Sequence, residues 1–213
     1  MFGAGNSGPS QGHCRLHWLQ GALVQRVGLG IQEPGRLLYD ERPAVCGFEE
    51  GWRNMPEIWE GELVGRGSRF AVVVSRYNES ITARLLEGAL QTLATAGVAE
   101  DAIHVAWVPG AWEIPLIAGR FARSRDYAGV ICLGAVIRGE TTHDQYINQQ
   151  VSESLGRLAL EADVPVGFGL LTCNSLEQAI QRAGGAVGNK GVECAEAVLR
   201  MADLMRRLPS QAL

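Results

Sequence analysis

The chain has 213 residues, 46% of them hydrophobic and 20% charged, with a formal net charge of −4. Those proportions suit a chain that buries an ordinary core without staples, and the acidic balance leaves no basic footprint for nucleic acid. No apolar run reaches the roughly 18–20 residues of a membrane span, so no membrane partner is expected either.

The start, Met1–Asn6, lacks the basic stretch and apolar core of a secretory signal. The five cysteines (Cys14, Cys46, Cys132, Cys173, Cys194) are odd in number and form no C-x-x-C pair. A reducing, cytoplasmic setting is expected, with no metal site and no disulfide framework. Residues 1–54 carry ten glycines and no sustained helical or alternating pattern. They are expected to be a disordered extension or an over-extended reading frame, with Met55 as a candidate start. Residues 55–213 are expected to form one catalytic domain.

Within that domain Arg69–Ser75 is an unbroken β-branched run, the pattern of a strand buried on both faces. Ser80 is the expected cap of a helix over Ile81–Ala96, closed by Gly97. Ile103–Val108 is the next strand, and Pro115 sits in the first turn of a helix reaching Arg123. Gly129–Ile137 is a third strand, followed by a helix over Asp144–Ala162 and a fourth strand over Pro165–Leu171. Two helices, Ser175–Ala183 and Val192–Leu208, close the pattern. Strands separated by helices predict an α/β fold: a mostly parallel, four-stranded central sheet with helices on both faces.

Ligands in such sheets bind beyond the carboxyl ends of the strands. Tyr77 and Asn78 follow the first strand there, and Ala111-Trp112-Glu113 the second. Arg138–His143 follows the third and Thr172-Cys173-Asn174 the fourth. Two aromatics can stack on a flat heterocycle while Glu113 and Asn78 read its polar substituents. The glycine and hydroxyl residues of Gly139–Thr142 precede a helix start, where free backbone N–H groups suit a phosphate. His143 at that terminus can exchange a proton near neutral pH. His104, inside a strand, reads as structural.

Arg182 and Lys190 flank a glycine-rich turn before the last helix. It is not a Walker A loop, because Asn189 separates Gly188 from Lys190 and Gly191 follows. The dinucleotide glycine fingerprint is missing too, since Gly28-Leu29-Gly30 lacks a third glycine and a preceding strand. Lys190 is the single lysine among nineteen basic residues. That follows from arginine-rich codon usage, or from one position that needs an ammonium group.

Several stretches, in register, resemble the lumazine synthase family: Arg76–Asn78, Val108–Pro115, Gly134–His143, Glu177–Gly184 and Gly188–Gly191. The resemblance covers about Glu60–Leu208. It implies a flavodoxin-like three-layer sandwich that condenses 5-amino-6-(D-ribitylamino)uracil with 3,4-dihydroxy-2-butanone 4-phosphate, without a cofactor. Tyr77 and Trp112 would flank the pyrimidine ring, although the first position is more often Phe or Trp in the family. Ala111, Glu113, Ala135, Val136, Ile137 and Phe168 would line the uracil and ribityl pocket. Glu140 and Thr141 would hold the phosphate, with Arg182 as its counter-charge. His143 would move protons, and Lys190 would lie near the site.

The resemblance also implies pentamers, some of which build sixty-subunit cages, with Phe168 and Arg182 supplied by a neighbouring copy. The uninterrupted turn Gly184–Gly191 favours the cage. Two other readings are an archaeal-type riboflavin synthase, which shares the fold, and a non-catalytic flavin- or lumazine-binding shell protein. The Gly-Glu-Thr-Thr-His segment argues against the first. His143, Arg182 and Lys190 together argue against the second.

Overall fold

The apolar runs become four strands: β1 (Phe70–Ser75), β2 (Ile103–Val108), β3 (Gly129–Ile137) and β4 (Val166–Cys173). In the computed structural model, which describes residues 56–209, they form one sheet in the order β2-β1-β3-β4. Every pairing is parallel. The expected boundary at Met55 and the stretch before it lie outside the described residues. The two interior strands explain the unbroken runs: all of β1 is buried, and of β3 only Ile137 is partly exposed. A strand covered on both faces has no solvent side on which to place polar residues.

Five helices join the strands: α1 (Glu79–Thr95), α2 (Ile114–Ser124), α3 (His143–Ala162), α4 (Leu176–Gln181) and α5 (Lys190–Arg207). Alternate strand residues feed two separate cores. Phe70, Val72 and Val74 point to the side where α1 lays down Leu85 and Leu93 and α5 lays down Val198 and Leu199. Ala71 and Val73 point to the side covered by Ile114 and Ala118 of α2 and by Val151 and Leu155 of α3. The result is the expected three-layer α/β sandwich, flavodoxin-like in outline.

Three local expectations need correction. Ser80 is not the cap of α1 but lies in its first turn. The cap is Asn78, in the left-handed region at φ 61° and ψ 44°, which asparagine tolerates better than most residues. Its side-chain N–H donates to the Ala135 carbonyl at 2.8 Å. β4 runs on to Cys173, because Thr172 and Cys173 continue the ladder opposite Val136 and Ile137. α5 begins at Lys190 rather than Val192, because Asn189 caps it, accepting from the Gly191 N–H at 2.8 Å. The turn between α4 and α5 also folds into a small antiparallel hairpin, β5 (Ala183–Gly185) with β6 (Gly188–Asn189).

α1 and α5 cross very closely. A Cβ added at Gly191 would overlap the Leu85 carbonyl, so only glycine allows the approach. The Asn189 side chain bridges the same crossing, donating to the Arg84 carbonyl at 2.9 Å.

The segment ahead of β1 is clamped to the end of α5. Buried Asp203 accepts from the Glu62 backbone N–H at 3.0 Å, from Arg206 at 2.6 Å and from Arg207 at 3.2 Å. Arg207 also donates to the Glu60 carbonyl at 2.7 Å and Arg200 to the Gly61 carbonyl at 3.2 Å. The Glu62 N–H holds the Asp203 carboxyl below its ordinary range, and the two arginines assist against the upward push of burial.

A folded-state value below the unfolded one means that this stabilisation is complete above about pH 4 and fades as pH falls through the lower value. Asp203→Ala should therefore cost about 2 kcal/mol near neutrality, the scale of losing a charged hydrogen-bond partner. The melting gap to the parent should close below about pH 4. A gap that stays constant across that range would remove the carboxylate's charge from the account.

Candidate active site

The loops at the carboxyl ends of the strands are laced together by backbone hydrogen bonds. The Arg76 N–H donates to the Val108 carbonyl at 2.8 Å, the Tyr77 N–H to Pro109 at 3.0 Å and the Arg138 N–H to Cys173 at 2.8 Å. Thr82 ties α1 to the end of β1 through a 2.7 Å bond to the Ser75 carbonyl. After β2 the chain makes a single tight turn, Ala111–Glu113, before α2. Glu113 folds back there and accepts from the Gly110 N–H at 2.9 Å.

Between these loops and the start of α3 lies a cavity of about 400 Å³. Ala135, Val136 and Ile137, the last turn-ward residues of β3, form its floor. Tyr77 and Trp112 stand at its rim, 72% and 54% exposed, an unusual placing for rings of that size unless something covers them. Gly110 and Ala111 complete that side. Gly139, Thr141, His143, Asp144 and Ile147 form the opposite wall.

No side chain caps α3, whose cap residue is Thr142. The positive dipole end of this 20-residue helix is thus left without a side-chain acceptor, and its first two residues, His143 and Asp144, line the cavity. His143 is exposed and makes no side-chain hydrogen bond among the described residues.

The arrangement offers aromatic faces for a planar ring, an anion seat at a helix terminus and a titratable imidazole between them. Residues 67–206 match the family model described as 6,7-dimethyl-8-ribityllumazine synthase. The chain belongs to that family. The matched span takes in β1 through all but the last residue of α5, and with them every residue of the cavity wall.

The sequence nominated fourteen residues for the site, and this family member gathers eight of them around one cavity: Tyr77, Ala111, Trp112, the three β3 residues, Thr141 and His143. The other six stand elsewhere. Asn78 and Glu113 lie at the edge of the cavity with their polar groups turned to the Ala135 carbonyl and the Gly110 N–H. Glu140 is exposed on the loop. Phe168 pairs with Cys132 in mid-sheet, five residues before the end of β4. At about 3.3 Å per residue that is roughly 16 Å from the strand end. Arg182 is exposed at the end of α4, and Lys190 forms an ion pair with Glu193 in the first turn of α5.

The cavity also includes Gly139 of the expected phosphate turn and three residues to which sequence reasoning gave no role: Gly110, Asp144 and Ile147. Helical periodicity carried on from His143 would have found Ile147, one turn along the same side of α3.

None of the described thiols is poised as a nucleophile. Burial pushes Cys132 well up and Cys194 up to about 12, and it raises Cys173 despite the nearby Arg182 guanidinium. A thiolate is therefore not part of the chemistry this wall can offer.

Proposed function

We propose that the chain condenses 5-amino-6-(D-ribitylamino)uracil with 3,4-dihydroxy-2-butanone 4-phosphate to give 6,7-dimethyl-8-ribityllumazine, the penultimate step of riboflavin biosynthesis. The observation that carries this reading is the joining of Tyr77 and Trp112, the uncapped start of α3 and His143 around one cavity. Family membership supports it.

The pyrimidine stacks between the two aromatics, with its polar edge along the backbone of Ala135–Ile137. Glu113 turns one oxygen to Gly110 and keeps the other for a substrate N–H, while Asn78 braces the Ala135 carbonyl. The phosphate sits at the loop Gly139–Thr141 with Glu140 and Thr141, where the helix terminus favours an anion. The 5-amino group attacks the ketone and water leaves to form the imine. A proton is then lost from the neighbouring carbon as phosphate departs, and the ribitylamino nitrogen attacks the carbonyl so formed, closing the ring with loss of a second water. His143 supplies and collects the protons. Holding two reactants in register is itself worth several kcal/mol of the barrier. No cofactor is required.

Phe168, Arg182 and Lys190 lie away from this cavity within one chain, so their roles require a second copy. We infer a pentamer with shared sites, built further into a sixty-subunit cage, acting in the cytoplasm on small molecules alone. Residues 55–213 are the catalytic domain in this reading, and residues 1–54 are an extension of it or an over-extended reading frame.

Mixing the protein with both substrates should produce lumazine fluorescence, while pre-made lumazine should remain unconsumed. Riboflavin appearing from lumazine alone would make it the sister synthase, and no signal in either arm would leave a binding protein. His143→Ala and Arg182→Ala, each impaired alone, should regain partial activity when co-assembled. Absence of rescue in mixed particles, sized by light scattering, would place both residues in one subunit's site.

A further inference from the structure

The floor of the cavity is an overhang. The ladder between β1 and β3 ends at the pair Val74 and Leu133, whereas β3 stays paired with β4 as far as Ile137 opposite Cys173. Successive residues of an interior strand turn their backbone groups to opposite neighbours. Val130 and Arg138 donate to the Pro165 and Cys173 carbonyls on the β4 side. The even-numbered residues of β3 therefore face β4, and the odd-numbered ones face β1.

Continued in register, the carbonyl of Ala135 would accept from the N–H of Tyr77. That N–H turns to the Pro109 carbonyl at 3.0 Å, and the side chain of Asn78 donates to Ala135 at 2.8 Å in its place. Ala135 is buried, where a carbonyl without a donor is costly. Two residues on, the N–H and carbonyl of Ile137 face the same way, past the end of β1, and Ile137 is partly exposed on the cavity. They are the donor and acceptor that this floor can offer to the edge of a ring.

Asn78 also follows Tyr77 directly, and its left-handed backbone turns the chain from that rim residue into α1. One residue thus joins the aromatic rim to the floor. Among the described residues no other side chain donates to the carbonyls of the overhang.

We propose that Asn78 is a positioning residue for the ribitylaminouracil. Its amide fixes the spacing between the Tyr77 ring and the Ile137 backbone, and with it the slot that a planar ring enters. The proposal rests on the functional reading above. The phosphate-bearing substrate is indifferent to that slot, because the loop Gly139–Thr141 is anchored separately, through the Arg138 N–H on Cys173.

The test measures both KM values, kcat, melting temperature and particle size in two variants. Asn78→Gly keeps the left-handed turn, which glycine adopts freely, and removes the amide. Asn78→Asp keeps the size of the side chain but sets an acceptor against the Ala135 carbonyl. Each should raise KM for the ribitylaminouracil about tenfold, the scale of one lost hydrogen bond. KM for the butanone phosphate should stay within about twofold, as for independent sites. Turnover at saturation should stay near that of the parent. Titration with ribitylaminouracil alone, followed by tryptophan fluorescence, should weaken by the same factor.

An unchanged KM for the ribitylaminouracil in Asn78→Gly would overturn the proposal and leave Asn78 as a helix cap alone. Equal rises in both KM values would also overturn it, as general loosening of the cavity. Should the glycine variant fail to assemble, the aspartate variant carries the same comparison. A parent protein that neither binds ribitylaminouracil nor forms lumazine would instead sink the functional reading, and the proposal with it.

Discussion

Gly191→Ala should be among the most damaging small substitutions in the domain, lowering the melting temperature by about 10 °C or more. The added methyl would be driven into the Leu85 carbonyl. Neither partner can yield as a flexible side chain would, because one belongs to the backbone of α5 and the other to that of α1. Relief requires the two helices to part, which lifts Leu85, Ala89 and Leu93 away from Ala195, Val198 and Leu199 in a core where all are buried. It also pulls Asn189 from its bond to the Arg84 carbonyl.

Overpacking of a core costs about 1–3 kcal/mol where side chains can adjust, and a rigid backbone contact belongs at or above that range. For a chain of this size each kcal/mol moves the midpoint by about 2–4 °C. Calorimetry or a denaturant melt of the assembled protein measures it. A shift under about 3 °C would mean that the helices separate cheaply and that the close crossing is not structural.

The largest effect on chemistry should come from His143→Ala. The side chain is exposed and makes no hydrogen bond among the described residues, and alanine suits the first position of a helix, so folding should be retained. Loss of a positioned proton donor and acceptor lowers turnover by about 10–1000-fold, at or below the usual range for such groups. Single-turnover rates separate the chemical step from substrate binding. Rates near those of the parent would remove His143 from the mechanism and shift attention to water at the α3 terminus.

Much of the architecture is legible because interior strands carry one meaning. FAVVV and GVICLGAV have no polar face to offer, and the structure buries both sides of each. Boundaries set by distant partners are harder to read. Nothing near Asn78 announces that its amide will find the Ala135 carbonyl, fifty-seven residues on, and so displace Ser80 as the expected cap.

Glycine-rich Gly188–Gly191 shows a second limit. Its pattern suggests a ligand loop, yet Asn189 caps α5 and ties it to α1, and Gly191 permits their close crossing. Those structural tasks account for most of the motif before any substrate is considered. The cavity wall is legible in its aromatics and His143 but not in Asp144, whose position depends on the phase of the first helical turn. Phe168, Arg182 and Lys190 expose the last limit: one chain's pattern carries no record of which copy completes the site.

The clamp on Asp203 bears on the order in which this protein can be made. It joins Glu62, ahead of the first strand, to a residue 141 positions later, near the close of the last described helix. The same helix supplies Cys194, Ala195, Val198 and Leu199 to one of the two cores. During synthesis, then, β1, α1 and β3 emerge with that face uncovered and stay so until almost all of the described chain has left the ribosome. Contacts this distant along the chain slow folding. The domain therefore acquires its native packing only once α5 is free to fold back on the earlier elements, and assembly of copies must wait for that event.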